Sequence, residues 1–457
     1  MGATAYVANA TLESVLKEFY VKAIAEQLNQ EVLALEMFEK AKLDWSGKRV
    51  VVPVHLARNT GVDFAAEGAA LPTAGNQTYA DLGITAKFLY GRFQITGPAI
   101  SAAKGAYSFG NYIDLELRKL VEDVRKKANL STLHGASCSG YITHATDIAG
   151  GGGVATVDYY GNIQQVSDRL AAAAAAGGTL RVNVVRADTY AALLGGAPNA
   201  QVAVTAVDTA AHTITLRNDN AANLTLARNT VGLEGMNGRP FALDFFIEAG
   251  GAITNNFSDE FSGAVHNISN PGHFGVDRSA AANAELRSDS VLCIATGAIA
   301  GGIYDDPQPL TLARMQQLTD RISASSNLEP DVILMNPLLR QAYTSLLVGT
   351  AAGNLRVETT SAGKGDGGFS VSGLSFNNIP FKTSVDCGRG MMFFLHTKVW
   401  KVAQLEAPGF ADLDGNILAR AGVGAGGVDA YEGYYRMYMD VYCERPNANG
   451  VLTGITF

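Results

Sequence analysis

An excess of positive charge is missing from this sequence. Its 35 Lys and Arg stand against 43 Asp and Glu, a formal net charge of −8, which argues against a broad basic field holding nucleic acid. There is no basic arm either, since the first 48 residues carry seven acids and five lysines. Long apolar runs are lacking as well. The stretch from Val291 to Tyr304 is Ala/Gly-rich and falls short of the roughly 20 apolar residues that a membrane helix needs. The start Met-Gly-Ala-Thr-Ala-Tyr has no charged segment followed by an apolar core, and Tyr6 stands where myristoylation wants Ser or Thr, so no targeting signal or membrane is expected. Cysteine is scarce: Cys138, Cys293, Cys387 and Cys443 are widely separated, without a C-x-x-C pair or a histidine at zinc spacing. They read as reduced, buried thiols in a protein made in the cytoplasm.

Catalytic constellations are absent in the same way. The seven histidines (55, 134, 144, 212, 266, 273 and 396) never fall in an H-E-x-x-H frame or pair at helical spacing, so no metal site is expected. No G-x-S-x-G elbow or Cys/His signature appears, and the reading is a protein that is not an enzyme and needs no cofactor. Three glycine-rich spots fail their tests. Gly422 to Gly427 follows no strand and opens no helix, as a dinucleotide loop must. Gly363-Lys364 lacks the upstream Gly and the following Ser or Thr of a phosphate loop. Asp412 to Asn416 is too short for a calcium loop and has no distal Glu.

What is present is order. At 457 residues with 47% hydrophobic content, two or three substructures are expected. Asn9 and Thr11 are good N-caps for Leu12, Val15, Leu16, Phe19, Ile24 and Leu28, which recur at helical spacing. Val32, Leu35, Met37 and Phe38 carry the pattern on. RVVVPVHLAR, Arg49 to Arg58, is strand-like, with Pro53 marking an exposed ribbon. Its return partner starts near Tyr79, and between the two lies a small, polar, glycine-rich hairpin tip. TAKFLYGRFQIT, Thr85 to Thr96, reads as the second strand of this projection. A long helix follows Phe109-Gly110, with Ile113, Leu117, Leu120, Val121 and Val124 on its apolar face and Glu122/Lys126 and Asp123/Lys127 paired on the wet side.

Further on, IQQVSDRL (Ile163 to Leu170), TLRVNVV and TYAALL are echoed by MQQLTDRI (Met315 to Ile322), DVILM and AYTSLL. Two amphipathic helices sharing common residue types and a duplicated structural unit both account for the echo. Residues 200–280 alternate as strands, and Leu374 to Thr383, Met391 to Leu395 and Tyr434 to Cys443 follow as strands in a mixed α/β part.

The N-terminal helix, long ribbon and long helix after FLYGRFQITGPAISAAKGAYSF, in that order, resemble the N-arm, extended loop and spine helix of tailed-phage major capsid proteins of the Hong Kong 97-type (Johnson) fold. PDVILMNPLLRQAY (Pro330 to Tyr343) is similar to the buried strand, Asn-Pro corner and helix of that family's axial domain. LSFNNIPFKTS (Leu374 to Ser384) and YMDVYCERPNANGVLTGI resemble its return strands. The likeness covers residues 1–135 and 285–457.

It implies an α+β fold divided as follows: an arm at 1–48, the extended loop at 49–97, and the spine helix with peripheral domain at 98–150. An axial-type helix-strand-helix unit at 151–199 comes next, then the axial domain at 285–373 and return strands at 374–457; between them the alternating residues 200–284 read as an inserted β-rich subdomain, a departure that the minimal fold lacks. It further implies hexamers and pentamers of an icosahedral head, with scaffolding and portal partners, a place for a decoration protein, and DNA enclosed without sequence-specific binding. The implied location is the virion capsid, assembled in host cytoplasm. Inter-subunit contact is expected through Val62, Asp63, Phe64, Glu67 and Leu71 of the loop. An encapsulin-like compartment shell and an unrelated β-rich binding protein are the alternative readings.

Overall fold

The computed structural model describes residues 32–40, 45, 47–67, 69–98, 112–136, 138–143, 148–186, 202–224, 226, 241–255, 257, 259–270, 272–288, 290–293, 308–349, 374–411, 419–420 and 429–456. The arm helix expected from Leu12 to Leu28, the glycine-rich spots at 363–364, 412–416 and 422–427, and the TYAALL segment lie outside the described residues. Of the second apolar set, Leu33–Met37 forms a short helix, and Phe38 stacks on Trp400 at 4.8 Å between ring centroids.

The chain divides into two compact units. One comprises residues 1–30, 90–124 and 409–436, the other 31–89, 125–408 and 437–457. Within the first, Gly97 N donates to Asp429 O at 2.9 Å, Arg92 pairs with Glu432, and Tyr90 meets Tyr434 edge-on.

In the second unit the strands Cys138–Thr143, Gly153–Gly161, Thr179–Arg186, Val202–Asp208, Thr213–Asn218 and Phe241–Ala249 form one antiparallel sheet that closes on itself. Phe241–Ala249 pairs with both Thr179–Arg186 and Cys138–Thr143, and the remaining pairings complete the ring. Closure leaves this barrel without a free edge. Alternation fills its interior: Ile214 and Leu216 point in beside Val182, Val184, Val204, Leu243 and Phe245, all buried. The helix Ile163–Ala175 starts at Asn162, whose side chain accepts from Gln165 N, and adds Ile163, Val166 and Ala173 to the same core. The division drawn at residue 200 is therefore corrected. Strands from both sides of it, and Cys138–Thr143 before both, share one sheet, because every barrel strand needs two neighbours and finds them far along the chain.

The helices Leu312–Ser326 and Pro337–Gly349 cover a second, six-stranded sheet that includes Val332–Met335, Ile379–Thr383, Met392–Leu395 and Gly450–Thr453. Met315, Leu318, Ile322 and Leu339 pack there against Ile333, Met335, Met392 and Phe394. The Asn-Pro corner forms as the motif suggests: Asn336 Oδ1 accepts from Leu338 N at 3.1 Å, with Pro337 opening the helix. The echo is structural at its helix and strand. Gln164 bonds Asp168 and Gln316 bonds Asp320, each one helical turn on, yet the strands that follow enter different sheets.

Candidate functional site

The ribbon is built by Val50–Ala57 against Thr78–Ile84, antiparallel, with Pro53 opposite Asp81 on an exposed edge. TAKFLYGRFQIT does not extend it. Its ordered part, Lys87–Thr96, pairs with Ala430–Cys443 in another sheet. One face of the ribbon base is buried: Leu56 and Leu82 pack on Val276 and Leu286, and Gly83 N donates to Phe274 O at 2.9 Å.

Beyond the base the two chains come very close at a neck. A Cβ on Gly61 would stand 2.7 Å from Gly75 N, and one on Gly75 would stand 2.4 Å from Thr60 Oγ1, so only glycine fits at either position. Asn59 Oδ1 accepts from Gly61 N at 2.7 Å, and His55 Nε2 lies 2.6 Å from Gln77 Oε1. Past the neck the apolar side chains meet nothing. Val62 is 82% exposed, Leu71 86% and Phe64 102%, and Asp63 and Glu67 are exposed beside them. Leaving three large apolar side chains in water forgoes roughly 1.5–3 kcal/mol each relative to full burial.

The long helix runs Tyr112–His134, about 35 Å at ~1.5 Å per residue. Of its expected apolar face, Val124 is buried and Leu117, Leu120 and Val121 are half-buried, while the side chain of Ile113 lies outside the described residues. Leu120 and Val124 pack on Gly91 of the strand Lys87–Thr96. Its lysines reach beyond the helix: Lys126 Nζ lies 2.8 Å from Asp386 and Lys127 Nζ 3.6 Å from Glu260, while Lys119 bonds Glu122 within it.

Sequence reading missed the buried polar groups. Asn129 is fully buried on this helix; its Oδ1 accepts from Ala34 N and Leu35 N while its Nδ2 donates to Asp386. Arg278, also fully buried, donates to Ile268 O at 3.0 Å and to Asn267 O and His273 Nδ1. Burial drives His134 down to about 4 and His266 to about 3, and puts His273 well below the usual histidine range. His134 is thereby a neutral ring, donating from Nδ1 to Ser139 O and accepting from Gly388 N at Nε2. The thiols of Cys138, Cys387 and Cys443 are buried and unpaired with one another, and burial raises all three, Cys443 to about 12. These are packing groups held in fixed protonation states.

A cleft of about 260 Å³ opens beside the helix, walled by Phe88, Leu89, Phe257 and Phe261, with Lys127, Asp259 and Glu260 at its polar side and Ser131 within. Among the described residues no cluster of His, Cys, Asp and Glu gathers three or more groups that could hold a metal ion. No described helix is long and apolar enough to cross a membrane.

No family profile matches the chain, and no curated protein matches it in sequence. Solved structures do match in fold. The cyanophage A-1(L) capsid asymmetric unit aligns over 99% of this chain and 100% of its own, at 12% identity and a TM-score of 0.54. A Gordonia phage Cozz chain covers 99% and 96% at 8% identity and a TM-score of 0.47. The capsid of a native GTA particle covers 99% and 100% at 10% identity and a TM-score of 0.46. On the first of these, the chain has the fold of a phage capsid subunit, with mixed α and β content.

Proposed function

We propose that this protein is the major capsid protein of a tailed double-stranded DNA phage, a structural subunit of the icosahedral head rather than an enzyme. The observation that carries the reading is the loop tip past the close approach of Gly61 and Gly75, where Val62, Phe64 and Leu71 stand in water. A side-chain set of that kind acquires a core only against another molecule, and full-length likeness to a phage capsid chain supports a neighbouring copy as that molecule. Loop contacts of modest size repeated around hexamers and pentamers give cooperative closure. A net charge of −8 suits a wall along which DNA slides without sticking. In this reading the barrel stands at an outer or lateral surface of the capsomer, where it offers a face to a decoration protein. Scaffolding and portal proteins of the same assembly set the size and the point of DNA entry.

Electron microscopy of the full chain produced with its scaffolding and portal partners tests this. Closed particles with nuclease-protected DNA are expected. A chain that stays monomeric by light scattering with those partners supplied overturns the reading, and particles filled with protein instead of DNA turn it into a compartment shell.

A further inference from the structure

We propose that the cleft walled by Phe88, Leu89, Phe257 and Phe261 is the seat for Phe64 of a second copy of this chain; the inference rests on the shell reading above and names where the loop lands. The two surfaces are complementary in kind. Phe64 is fully exposed and Phe88 is 56% exposed, whereas Phe257 and Phe261 are buried at the floor. The cleft has room for one aromatic side chain and a short piece of its backbone. Its walls are fixed in advance. Phe88 stands edge-on to Tyr438 at 5.2 Å. Phe257 lies under the guanidinium of Arg169, 4.6 Å from its centroid, on a left-handed backbone of φ 48° that an aromatic residue adopts only when its surroundings hold it.

Two polar features select a peptide loop over a loose apolar molecule. Ser131 is 4% exposed, lines the cleft, and its Oγ has no hydrogen-bond partner among the described residues. A backbone N–H or C=O entering with Phe64 supplies one, and a buried hydroxyl left unmatched is costly. The second feature is charge. Glu260 is already engaged by buried Arg169 at 2.8 Å, while Lys127, half exposed, reaches it only at 3.6 Å. The carboxylate of Asp63, adjacent to Phe64 in the chain, is placed to take up Lys127. Asp259 on the same rim turns the acidic flank of the loop towards the lysine side.

Cysteine pairing in the full chain reads this directly, because a disulfide forms only between residues whose Cα atoms come within about 7 Å. Phe64→Cys with Phe88→Cys, assembled and then mildly oxidised, is expected to give a reductant-sensitive ladder of multimers on a denaturing gel. Each single variant, and Phe64→Cys with Val154→Cys on the barrel, is expected to stay monomeric. Particles that form while the 64–88 pair gives no ladder, or gives a disulfide within one chain only, overturn the seat and leave the shell reading standing. Failure of the unsubstituted chain to form any particle overturns the shell reading itself. A second pair of variants guards against a double substitution that cannot assemble. Phe64→Leu is expected to keep particle yield within about twofold and Phe64→Asp to abolish particles, with unchanged far-UV circular dichroism in both; assembly of Phe64→Asp at the parent yield overturns the proposal.

Discussion

Gly91 and Val124 are in contact so close that a Cβ on the glycine would stand 2.4 Å from Val124 Cγ2, and 3.0 Å from Leu120 Cδ1. The strand backbone is thus the surface on which the helix side chains rest. Gly91→Val has no space to enter and is expected to cost about 1–3 kcal/mol through overpacking, read as a lower denaturant midpoint with unchanged slope. Val124→Ala reopens part of that space, so the double variant should lose less than the sum of the two single variants. A Gly91→Val protein as stable as its parent would sink this account of the contact.

How far sequence carried the fold depended on how local the signal was. The apolar face of the long helix was legible because Leu117, Leu120, Val121 and Val124 repeat at helical spacing. The ribbon was legible because Val50–Ala57 alternates and glycine marks its tip. The barrel was not. Each of its strands announces period two, but nothing in that pattern says that Phe241–Ala249 closes onto both Cys138–Thr143 and Thr179–Arg186. The buried Asn129, Arg169 and Arg278 escaped for another reason. Polar residue types are assigned to the surface by default, and only tertiary partners make them interior. The loop residues were legible as candidates through the absence of anything nearby for them to pack on, whereas the cleft beside Phe88 is assembled from segments far apart in the chain.

Asn129 gives a prediction about such an interior group. It accepts from Ala34 N at 2.9 Å and Leu35 N at 3.2 Å and donates to Asp386 Oδ2 at 2.5 Å, joining three segments with one side chain. Asn129→Leu keeps the size but strands two backbone donors and weakens the hold on Asp386, and is expected to cost about 2–4 kcal/mol. Hydrogen exchange at Ala34 and Leu35 should accelerate in the same variant. Unchanged protection of those two amides would show that something other than Asn129 holds them.

Stability should depend on pH through four buried groups, with opposing signs. The folded-state values of His134, His266 and His273 are depressed, so their contribution is complete above the unfolded value near 6.5 and is lost as pH falls towards the folded values, about 4 for His134 and about 3 for His266. Asp440 runs the other way. Burial raises it to about 6 against the hydrogen bonds from Ser262 and Val441, so its contribution is present at low pH and lost as pH rises through 6. Three depressed histidines against one raised carboxyl leave a net loss of stability as pH falls from about 6 towards 4. Urea titrations at pH 7.5, 6 and 5 check the slope. Asp440→Asn should raise stability at pH 7.5 and steepen the acid loss; a variant with the parent's profile would remove Asp440 from the account.

The loop also predicts how subunits are joined. Some capsids of the resembled fold are welded by an isopeptide bond between a loop lysine and a neighbour's asparagine, which requires an amine nucleophile at the loop. Residues 59–80 contain no lysine, and Lys48 and Lys87 lie back towards the body. On the proposed shell reading, cohesion is expected from burying Val62, Phe64 and Leu71, about 1.5–3 kcal/mol for each side chain fully covered, with ion pairs from Asp63 and Glu67 adding ~1 kcal/mol or less where they stay exposed. Boiling assembled particles in detergent with reductant is expected to release one band at the monomer mass, and a ladder surviving that treatment would overturn the argument. Deletion of Gly61 to Gly75 gives the complementary result. The cut falls beyond the ribbon base, where Leu56 and Leu82 remain packed on Val276 and Leu286, so the subunit should keep its denaturation midpoint while particles fail to complete. Loss of the fold on that deletion would mean that the tip stabilises its own subunit, contrary to the exposure of its side chains.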